Sequence, residues 1–200
     1  MSRCKVKVEP SALLLLAGFV LLSSPVLLAA LLLASLSHEL GHYAVLSLLG
    51  GRVKGLYITI FGAEMQVAGH AGYGGEFLTT LAGPLVNLLL AAGFSFFGKR
   101  LEVLYLFSGA QVVLGLFNLL PIRPLDGGTL LWTAVAYFTE PYTADRVAAL
   151  VGFAAALCLT GFALALLLYV GGTPFFLLAA VGLLWYAGRE IGLVKRMRKR

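Results

Sequence analysis

The stretch VLLAALLLASLSHELGHYAVLSLL, residues 26–49, decides the fold of this chain. It is long and apolar enough to cross a bilayer as a helix, which takes about 20 consecutive apolar residues. Its acidic and histidine side chains are confined to residues 38–42, and Gly50-Gly51 follows as a helix end. The stretch therefore predicts a membrane-spanning helix with an ionisable cluster near its C-terminal end.

The composition of the whole chain agrees with a membrane protein. Of its 200 residues, 60% are hydrophobic and 12% are charged, against about 45–50% and about 25% in soluble proteins. Most of the 15 basic residues lie at the chain ends and in short gaps between apolar runs, which argues against nucleic-acid binding. Two cysteines, Cys4 and Cys158, are too few for a disulfide framework. The lipid bilayer is the expected surrounding.

Further spans are expected on both sides of residues 26–49. The uncharged run 10–37 is too long for one span, and Ser23-Ser24-Pro25 predicts a tight hairpin after a short first helix, 10–24. Pro121-Ile122-Arg123-Pro124 breaks a later helix, and residues 129–138 are too few to cross. The remaining spans are predicted at about 77–97, 101–120, 147–170 and 174–191. We expect an all-α polytopic membrane protein with about six transmembrane helices.

Residues 56–67 follow the period of a β-strand instead. Residues 56, 58 and 60 are aliphatic and alternate with tyrosine, threonine and phenylalanine, Gly62-Ala63 offers a turn, and residues 64–67 alternate again. This pattern predicts a small membrane-associated β-hairpin, followed by a glycine-rich loop at 69–75.

Basic residues are unevenly divided between the two sides of this six-span arrangement. With both termini in the cytoplasm, all of the 15 basic residues except Lys99 and Arg100 lie on the inner side. The positive-inside rule prefers this orientation. We expect a multi-pass cell-membrane protein whose basic tail, 192–200, contacts anionic headgroups.

His38-Glu39-Leu40-Gly41-His42 has the pattern HExxH on the predicted helix. Histidines four residues apart lie on one helix face about 6 Å apart along the axis, so their ring nitrogens can bind one metal ion. Glu39, rotated aside, can reach a water molecule there. Ionisable groups at membrane depth cost roughly 2.5–3.5 kcal/mol each, which disfavours a merely polar helix contact. The pattern is typical of a zinc hydrolase.

A catalytic Zn²⁺ takes three protein ligands and one open position, so a third ligand is required. Most acidic residues, Asp145 and Glu190 among them, lie at span ends or in loops, where water solvates them. Asp126 differs, because it lies in the helix break beside Gly127-Gly128, at the expected depth of the histidines. Asp126 could instead cap the helix 129–138, and the two roles are compatible.

Three segments resemble the motifs of a known family, and they occur in its order. HELGH at 38–42, AGPLVN at 82–87 and NLLPIRPLDGG at 118–128 resemble the site-2 protease family of intramembrane zinc metalloproteases, peptidase family M50. The flanking spans and cytoplasmic termini further resemble the sporulation-type enzymes that release a membrane-tethered pro-sigma factor. The resemblance implies a single integral membrane protease domain, 1–200, with a catalytic core at about 26–138 and flanking helices at 10–24 and 147–191.

The resemblance also implies roles for individual residues. His38, His42 and Asp126 correspond to the zinc ligands, and Glu39 to the general base. Asn118 corresponds to an asparagine that holds the substrate backbone or the developing oxyanion, although from the residues alone it could equally satisfy carbonyls freed near Pro121. Residues 82–87 are interpreted as scaffold, and Arg123 is expected to extend toward the headgroups.

The expected activity is peptide hydrolysis within or near the bilayer, with the active site toward the cytoplasmic side. The expected partner is a membrane-tethered protein substrate, such as a pro-sigma factor, an anti-sigma factor or a signal-peptide remnant. Access could depend on a membrane regulatory partner. A zinc-binding membrane regulator without turnover is the alternative, but it leaves Glu39 unexplained. A zinc transporter would need ligands spaced along several helices.

A helical substrate hides its carbonyls in hydrogen bonds, so a protease in the membrane must hold it extended. An edge of the predicted hairpin could pair with such a segment. On this hypothesis, proline at Ile58 or Ile60 weakens cleavage and leaves the zinc content intact.

Overall fold

The computed structural model describes residues 5–10, 12–13, 17–18, 20, 23–59, 62–69, 72–171 and 174–197. The chain divides into two compact units, residues 1–118 and residues 119–200. Seven of the fifteen residues of the predicted first helix, 10–24, and the middle of the predicted hairpin, 60–61, lie outside the described residues.

In the described residues 5–8 and from 23 onward, the first unit combines a small sheet with three helices. Its core includes Ala30 and Ala34 of the first helix against Ala110 of the third, surrounded by Leu31, Phe107 and Leu114. Small side chains let these helices approach closely, as is usual within membranes. Its elements are β1 (Lys5–Val8), α1 (Pro25–Leu48), β2 (Arg52–Thr59), β3 (Gly62–Ala68), α2 (Gly72–Gly98) and α3 (Val103–Asn118).

Helix α1 has the boundaries that its sequence predicts within one residue. Ser24 is its N-cap, where the Oγ atom accepts a hydrogen bond from the Leu27 amide at 3.2 Å, and Pro25 follows at the first helical position. After the helix, Gly50 adopts a positive φ of 77°, a conformation that glycine accepts without strain.

The predicted hairpin is confirmed and is part of a larger sheet. Strands β2 and β3 pair antiparallel, and β1 pairs parallel with β2, so β2 lies in the centre. Strand β1 was not predicted, because four residues with alternating lysines resemble a basic leader before a membrane segment. Ile58 pairs with Val8 on one side and Ala63 on the other. Proline at Ile58 would therefore break the sheet itself and is the wrong test of substrate pairing.

The glycine-rich loop expected at 69–75 is shorter than predicted. Helix α2 begins at Gly72, so Gly72 to Gly75 form its first turn. Glycine disfavours a helix interior, but the amides of a first turn lack helical partners in any case. Glycine therefore opposes the helix less at these positions than it would in the helix interior.

The second unit contains a loop, 119–125, and three helices: α4 (Asp126–Phe138), α5 (Pro141–Val170) and α6 (Pro174–Met197). Helix α4 begins three residues earlier than expected, with Leu125 as its N-cap. The alternative of Asp126 as the cap of a helix starting at 129 is therefore wrong. Asp126 lies in the first turn, where the helix dipole favours a negative charge. Between α5 and α6, the Thr160 hydroxyl is 3.2 Å from the Ala180 carbonyl oxygen.

Among the described residues, four helices are long and apolar enough to cross a membrane: α1, α2, α5 and residues 176–194 of α6. Helix α3 is apolar but has 16 residues, about 24 Å of helix against a hydrocarbon core of about 30 Å. The predicted all-α membrane fold with a small sheet is confirmed, and the chain is a multi-pass membrane protein.

Candidate metal centre

His38 and His42 meet on one face of α1, as their spacing predicts. Both side chains are buried, at 5% and 8% exposure, in a helix whose other faces carry mostly aliphatic residues. Their rings are perpendicular with centroids 4.7 Å apart, and their Nε2 atoms are 3.1 Å apart.

The other ring nitrogens show how the two Nε2 atoms are protonated. His42 Nδ1 lies 2.8 Å from the Thr79 carbonyl oxygen, which accepts only, so this nitrogen donates. His38 Nδ1 lies 2.6 Å from Asn87 Oδ1 and donates likewise. In neutral imidazoles both Nε2 atoms then present lone pairs to each other, an arrangement that a cation between them would stabilise. Two such nitrogens with anchored Nδ1 atoms fit Zn²⁺.

Glycines make room for the imidazoles where α1 crosses α2. A Cβ atom at Gly83 would overlap His42 Nε2 and would lie 3.0 Å from His38 Cε1. A Cβ atom at Gly41 would lie 2.8 Å from the Ala82 carbonyl oxygen. The contact of the Gly83 Cβ atom with His42 Nε2 and that of the Gly41 Cβ atom with the Ala82 carbonyl oxygen are both shorter than real Cβ contacts. The HExxH helix and the 82–87 segment therefore fit together only because each has glycine at the crossing.

Asn87 is the site residue that sequence reasoning missed. The segment 82–87 is interpreted above as scaffold, which holds for Gly83, but Asn87 bonds directly to His38. The available signal was an amide inside an apolar helix, since a buried amide requires partners.

Glu39 and Asn118 lie on different helices of the first unit. Glu39 follows His38 in α1 and is half-buried, about 100° around the helix from it. Asn118 is the last residue of α3, also half-buried, and its Nδ2 atom donates to the Leu114 carbonyl oxygen at 3.1 Å. The structure thus gives Asn118 a local backbone partner one turn back in its own helix.

Asp126 belongs to the second unit, where Gly127-Gly128 shapes its surroundings. A Cβ atom at Gly127 would overlap the carbonyl groups of Leu119 and Leu120. A Cβ atom at Gly128 would lie 2.5 Å from the Arg123 amide nitrogen. The loop 119–125 therefore folds tightly against the first turn of α4, and it is this turn that carries the half-buried Asp126.

Arg123 has a different role from the expected one. Its Nη1 atom lies 3.6 Å from Asp145 of α5 and 3.7 Å from Glu190 of α6. Its guanidinium also stacks 5.3 Å from the ring centroid of Trp132, whose Nε1 donates to Asp145 at 2.7 Å. The sequence did not predict this pairing: the carboxylates at 145 and 190 are 25% and 21% exposed, and both face Arg123. These groups hold the loop to all three helices of its unit.

Comparisons of the sequence and of the fold with known proteins find relatives that are zinc metalloproteases by name. The model of peptidase family M50 matches residues 98–160. Stage IV sporulation protein FB of Bacillus subtilis is 33% identical over an alignment of 136 residues that covers 64% of this chain and 46% of that protein. A putative zinc metalloprotease of Synechocystis is 33% identical over 56% of this chain and 32% of its own length. The putative zinc metalloprotease Rip3 of Mycobacterium tuberculosis is 36% identical over 52% of this chain and 29% of its own length.

The chain thus spans between about a third and half of the length of these relatives. The solved structure of a site-2 protease from Methanocaldococcus jannaschii shares the fold, with a TM-score of 0.68 at 22% identity, over 93% of this chain and 90% of that one. The comparisons thus agree with the predicted resemblance: the chain is similar to peptidase family M50, the family of the site-2 proteases, and shares the fold of one of them.

Proposed function

We propose that this protein is a zinc metalloendopeptidase that hydrolyses peptide bonds of membrane-tethered proteins within or near the bilayer. The observation that carries the proposal is the histidine pair of α1, with Nε2 atoms 3.1 Å apart and both Nδ1 atoms hydrogen-bonded to acceptors. A pair anchored in this way is typical of metal-binding histidines. The relatives named zinc metalloproteases support the choice of zinc.

The proposed zinc ligands are His38, His42 and Asp126. Three protein ligands leave the open position that catalytic zinc requires. Asp126 is proposed because its segment, 118–128, resembles the third family motif and because its half-buried carboxylate lies at a sharply folded turn. When bound, Zn²⁺ supplies the Lewis acid that activates a water molecule near neutral pH.

Glu39 is the proposed general base. Its carboxylate accepts a proton from the attacking water and returns it to the nitrogen of the leaving amine. A site that only binds zinc would not require a carboxylate beside His38 on α1, whereas hydrolysis requires a base there. Asn118 is the proposed substrate-binding residue, and its side-chain oxygen and second N–H are suited to a peptide backbone.

The proposed substrate is a membrane-tethered protein segment, such as a pro-sigma factor, an anti-sigma factor or a signal-peptide remnant. The similarity to Stage IV sporulation protein FB supports the sporulation-type branch. We further propose cytoplasmic termini and an active site toward the cytoplasm, reached with or without a membrane regulatory partner. Because β1 pairs with β2, residues 5–8 and 52–59 lie on the same side of the membrane in this proposal. These two segments carry four basic residues, Lys5, Lys7, Arg52 and Lys54.

The test couples zinc content to cleavage in purified protein. Wild type, Glu39→Gln and Asp126→Asn are compared in liposomes with a tethered pro-sigma model substrate, and bound zinc is measured by mass spectrometry. Glu39→Gln should keep its zinc and lose cleavage by about 10²- to 10⁴-fold, the usual effect of a missing general base. Asp126→Asn should weaken both zinc binding and cleavage.

His70→Ala is the matched control, because it removes a histidine outside the motifs and should change neither quantity. A wild type that retains no zinc would overturn the proposal. Zinc retention with equal cleavage by wild type and Glu39→Gln would remove Glu39 as the base. Zinc retention without cleavage of any single-span substrate in a panel would favour the zinc-binding regulator.

A further inference from the structure

We propose that Asn87 is a positioning residue that fixes the orientation and the tautomer of His38, and that Gln111 and Ser37 hold Asn87 in turn. The zinc site on which this acts rests on the proposed function, whereas each hydrogen bond involved is a property of the protein alone. Three helices contribute, since Ser37 and His38 belong to α1, Asn87 to α2 and Gln111 to α3.

The three polar side chains are enclosed by the helices. Asn87 and Gln111 have no solvent exposure, and Ser37 is 8% exposed. Burying an amide is unfavourable unless its donors and acceptors find partners. Each amide can therefore keep its place only while its hydrogen bonds are made, which makes the network sensitive to the loss of one member.

A backbone carbonyl determines how the Asn87 amide is turned. Asn87 Nδ2 lies 3.0 Å from the Ala34 carbonyl oxygen, which accepts only, so the amide nitrogen must face it. The second N–H of this nitrogen donates to Gln111 Oε1. Both donors are then used, and Oδ1 faces His38 Nδ1 at 2.6 Å as an acceptor.

Gln111 and Ser37 continue the same direction of donation. Gln111 Oε1 accepts from Asn87, and Gln111 Nε2 donates to the Ser37 Oγ atom at 3.2 Å, while the same Oγ atom lies 3.3 Å from Oε1. The Ser37 hydroxyl donates in turn to the Leu33 carbonyl oxygen at 2.8 Å. The carbonyl oxygens of Ala34 and Leu33 can only accept, so they fix which atom donates in each hydrogen bond even without a ligand. His38 consequently carries its proton on Nδ1 and presents the Nε2 lone pair.

The two histidines differ in how they are held. His42 donates to the backbone carbonyl of Thr79, a partner that no side-chain substitution removes. His38 donates to the Asn87 side chain. A substitution at Asn87 therefore releases one imidazole and leaves the other in place.

Ser108 offers a matched control for a purely structural role. It is buried at 8% exposure on α3 and donates to the Ala91 carbonyl oxygen of α2 at 2.8 Å. Ser108→Ala thus removes a buried hydrogen bond between the same two helices as Asn87 and Gln111, away from His38. A loss of zinc affinity larger than that of Ser108→Ala is therefore attributed to the hydrogen bonds of Asn87, Gln111 and Ser37.

The experiment compares wild type, Asn87→Leu, Gln111→Leu and Ser108→Ala as purified full-length protein in detergent. Zinc affinity is measured by competition with a chromophoric chelator, and histidine tautomers are read by ¹⁵N NMR of the metal-free protein. Asn87→Leu should weaken zinc binding about 10- to 100-fold, the usual loss for a partner of a metal-binding histidine. It should also shift His38 from the Nδ1–H form to a mixture of tautomers.

Gln111→Leu should move both readouts in the same direction by less, and Ser108→Ala should leave both unchanged. Zinc affinity of Asn87→Leu within twofold of wild type, with unchanged tautomers, would overturn the inference. Should Asn87→Leu fail to fold, Gln111→Leu decides by the same criteria. A wild type without zinc affinity would refute the zinc site, and the tautomer spectra would still decide the role of Asn87.

Discussion

Gly83 shows how strongly single residues constrain the histidine pair. Its α-hydrogen faces the space that both imidazoles occupy, and the nearest atoms belong to their rings. Since protein interiors are close-packed, even one added methyl group must displace a neighbour. At this position the neighbours are the proposed zinc ligands.

Gly83→Ala should therefore impair zinc binding more than it impairs folding. Displacing His42 Nε2 should lower zinc affinity at least tenfold, and overpacking should destabilise the protein by about 1–3 kcal/mol. The measurements are chelator competition and thermal unfolding in detergent. Gly93→Ala on the same helix is the control, because a Cβ atom there meets nothing within 4 Å. Equal zinc affinity in the two variants would contradict the steric argument.

At the residue scale, the sequence predicted the parts of the site that depend on local spacing. His38 and His42 converge because the helical period brings positions four apart together. The contact between His38 and Asn87 joins residues 49 apart, and the pairing of Arg123 with Glu190 joins the loop 119–125 to α6. Such contacts depend on helix packing, which spacing along one chain segment does not determine.

At the element scale, the sheet has a central strand and two edges. Within the described part of the chain, β2 pairs on both sides, whereas β3 pairs with β2 alone. An exposed strand edge is a template for an extended peptide. The substrate pairing that the sequence suggested for the hairpin is therefore expected at the outer edge of β3.

Proline substitutions at Met65 and Gln66 test this expectation. Neighbouring residues of a strand direct their N–H groups to opposite sides, so one of the two amides faces β2 and the other faces outward. Proline at the outward position leaves the pairing with β2 intact. The variant that keeps the wild-type unfolding temperature and zinc content should lose cleavage at least tenfold. Wild-type cleavage by that variant would exclude β3 as the docking edge.

The sequence predicted the boundaries of elements where single residues mark the end of the element. It missed them where the end depends on packing against another segment. Ser24-Pro25 and Gly50 delimit α1 almost as expected, because a cap and a positive φ are properties of single residues. Strand β1 has four residues and is stabilised by its partner β2, so its own sequence carries little signal. Helix α4 likewise begins at Asp126 because the loop packs on its glycines.

At the scale of the whole molecule, the distribution of basic residues determines the expected orientation. Arg52 and Lys99 are both exposed and lie at opposite ends of the segment formed by the hairpin and α2. By the positive-inside rule we expect the many basic residues near the sheet in the cytoplasm and Lys99-Arg100 outside.

Cysteine labelling in intact cells measures this orientation directly. Cys4 and Cys158 are replaced by serine, and single cysteines are introduced as Arg52→Cys or Lys99→Cys. A membrane-impermeant maleimide should label position 99 in intact cells and position 52 only after the membrane is opened. Labelling in the reverse order would show that the chain is inserted the other way round.

The ion pairs of Arg123 limit how far this chain could be shortened from its C-terminal side. All three segments that resemble family motifs end by residue 128, so the motifs alone require nothing beyond α4. Yet the loop that leads into Asp126 is held by carboxylates at positions 145 and 190, on the two helices that follow. A fragment that stopped at Phe138 would leave this arginine without either counter-charge. Evolutionary shortening from the C-terminal side should therefore have been accompanied by replacement of Arg123.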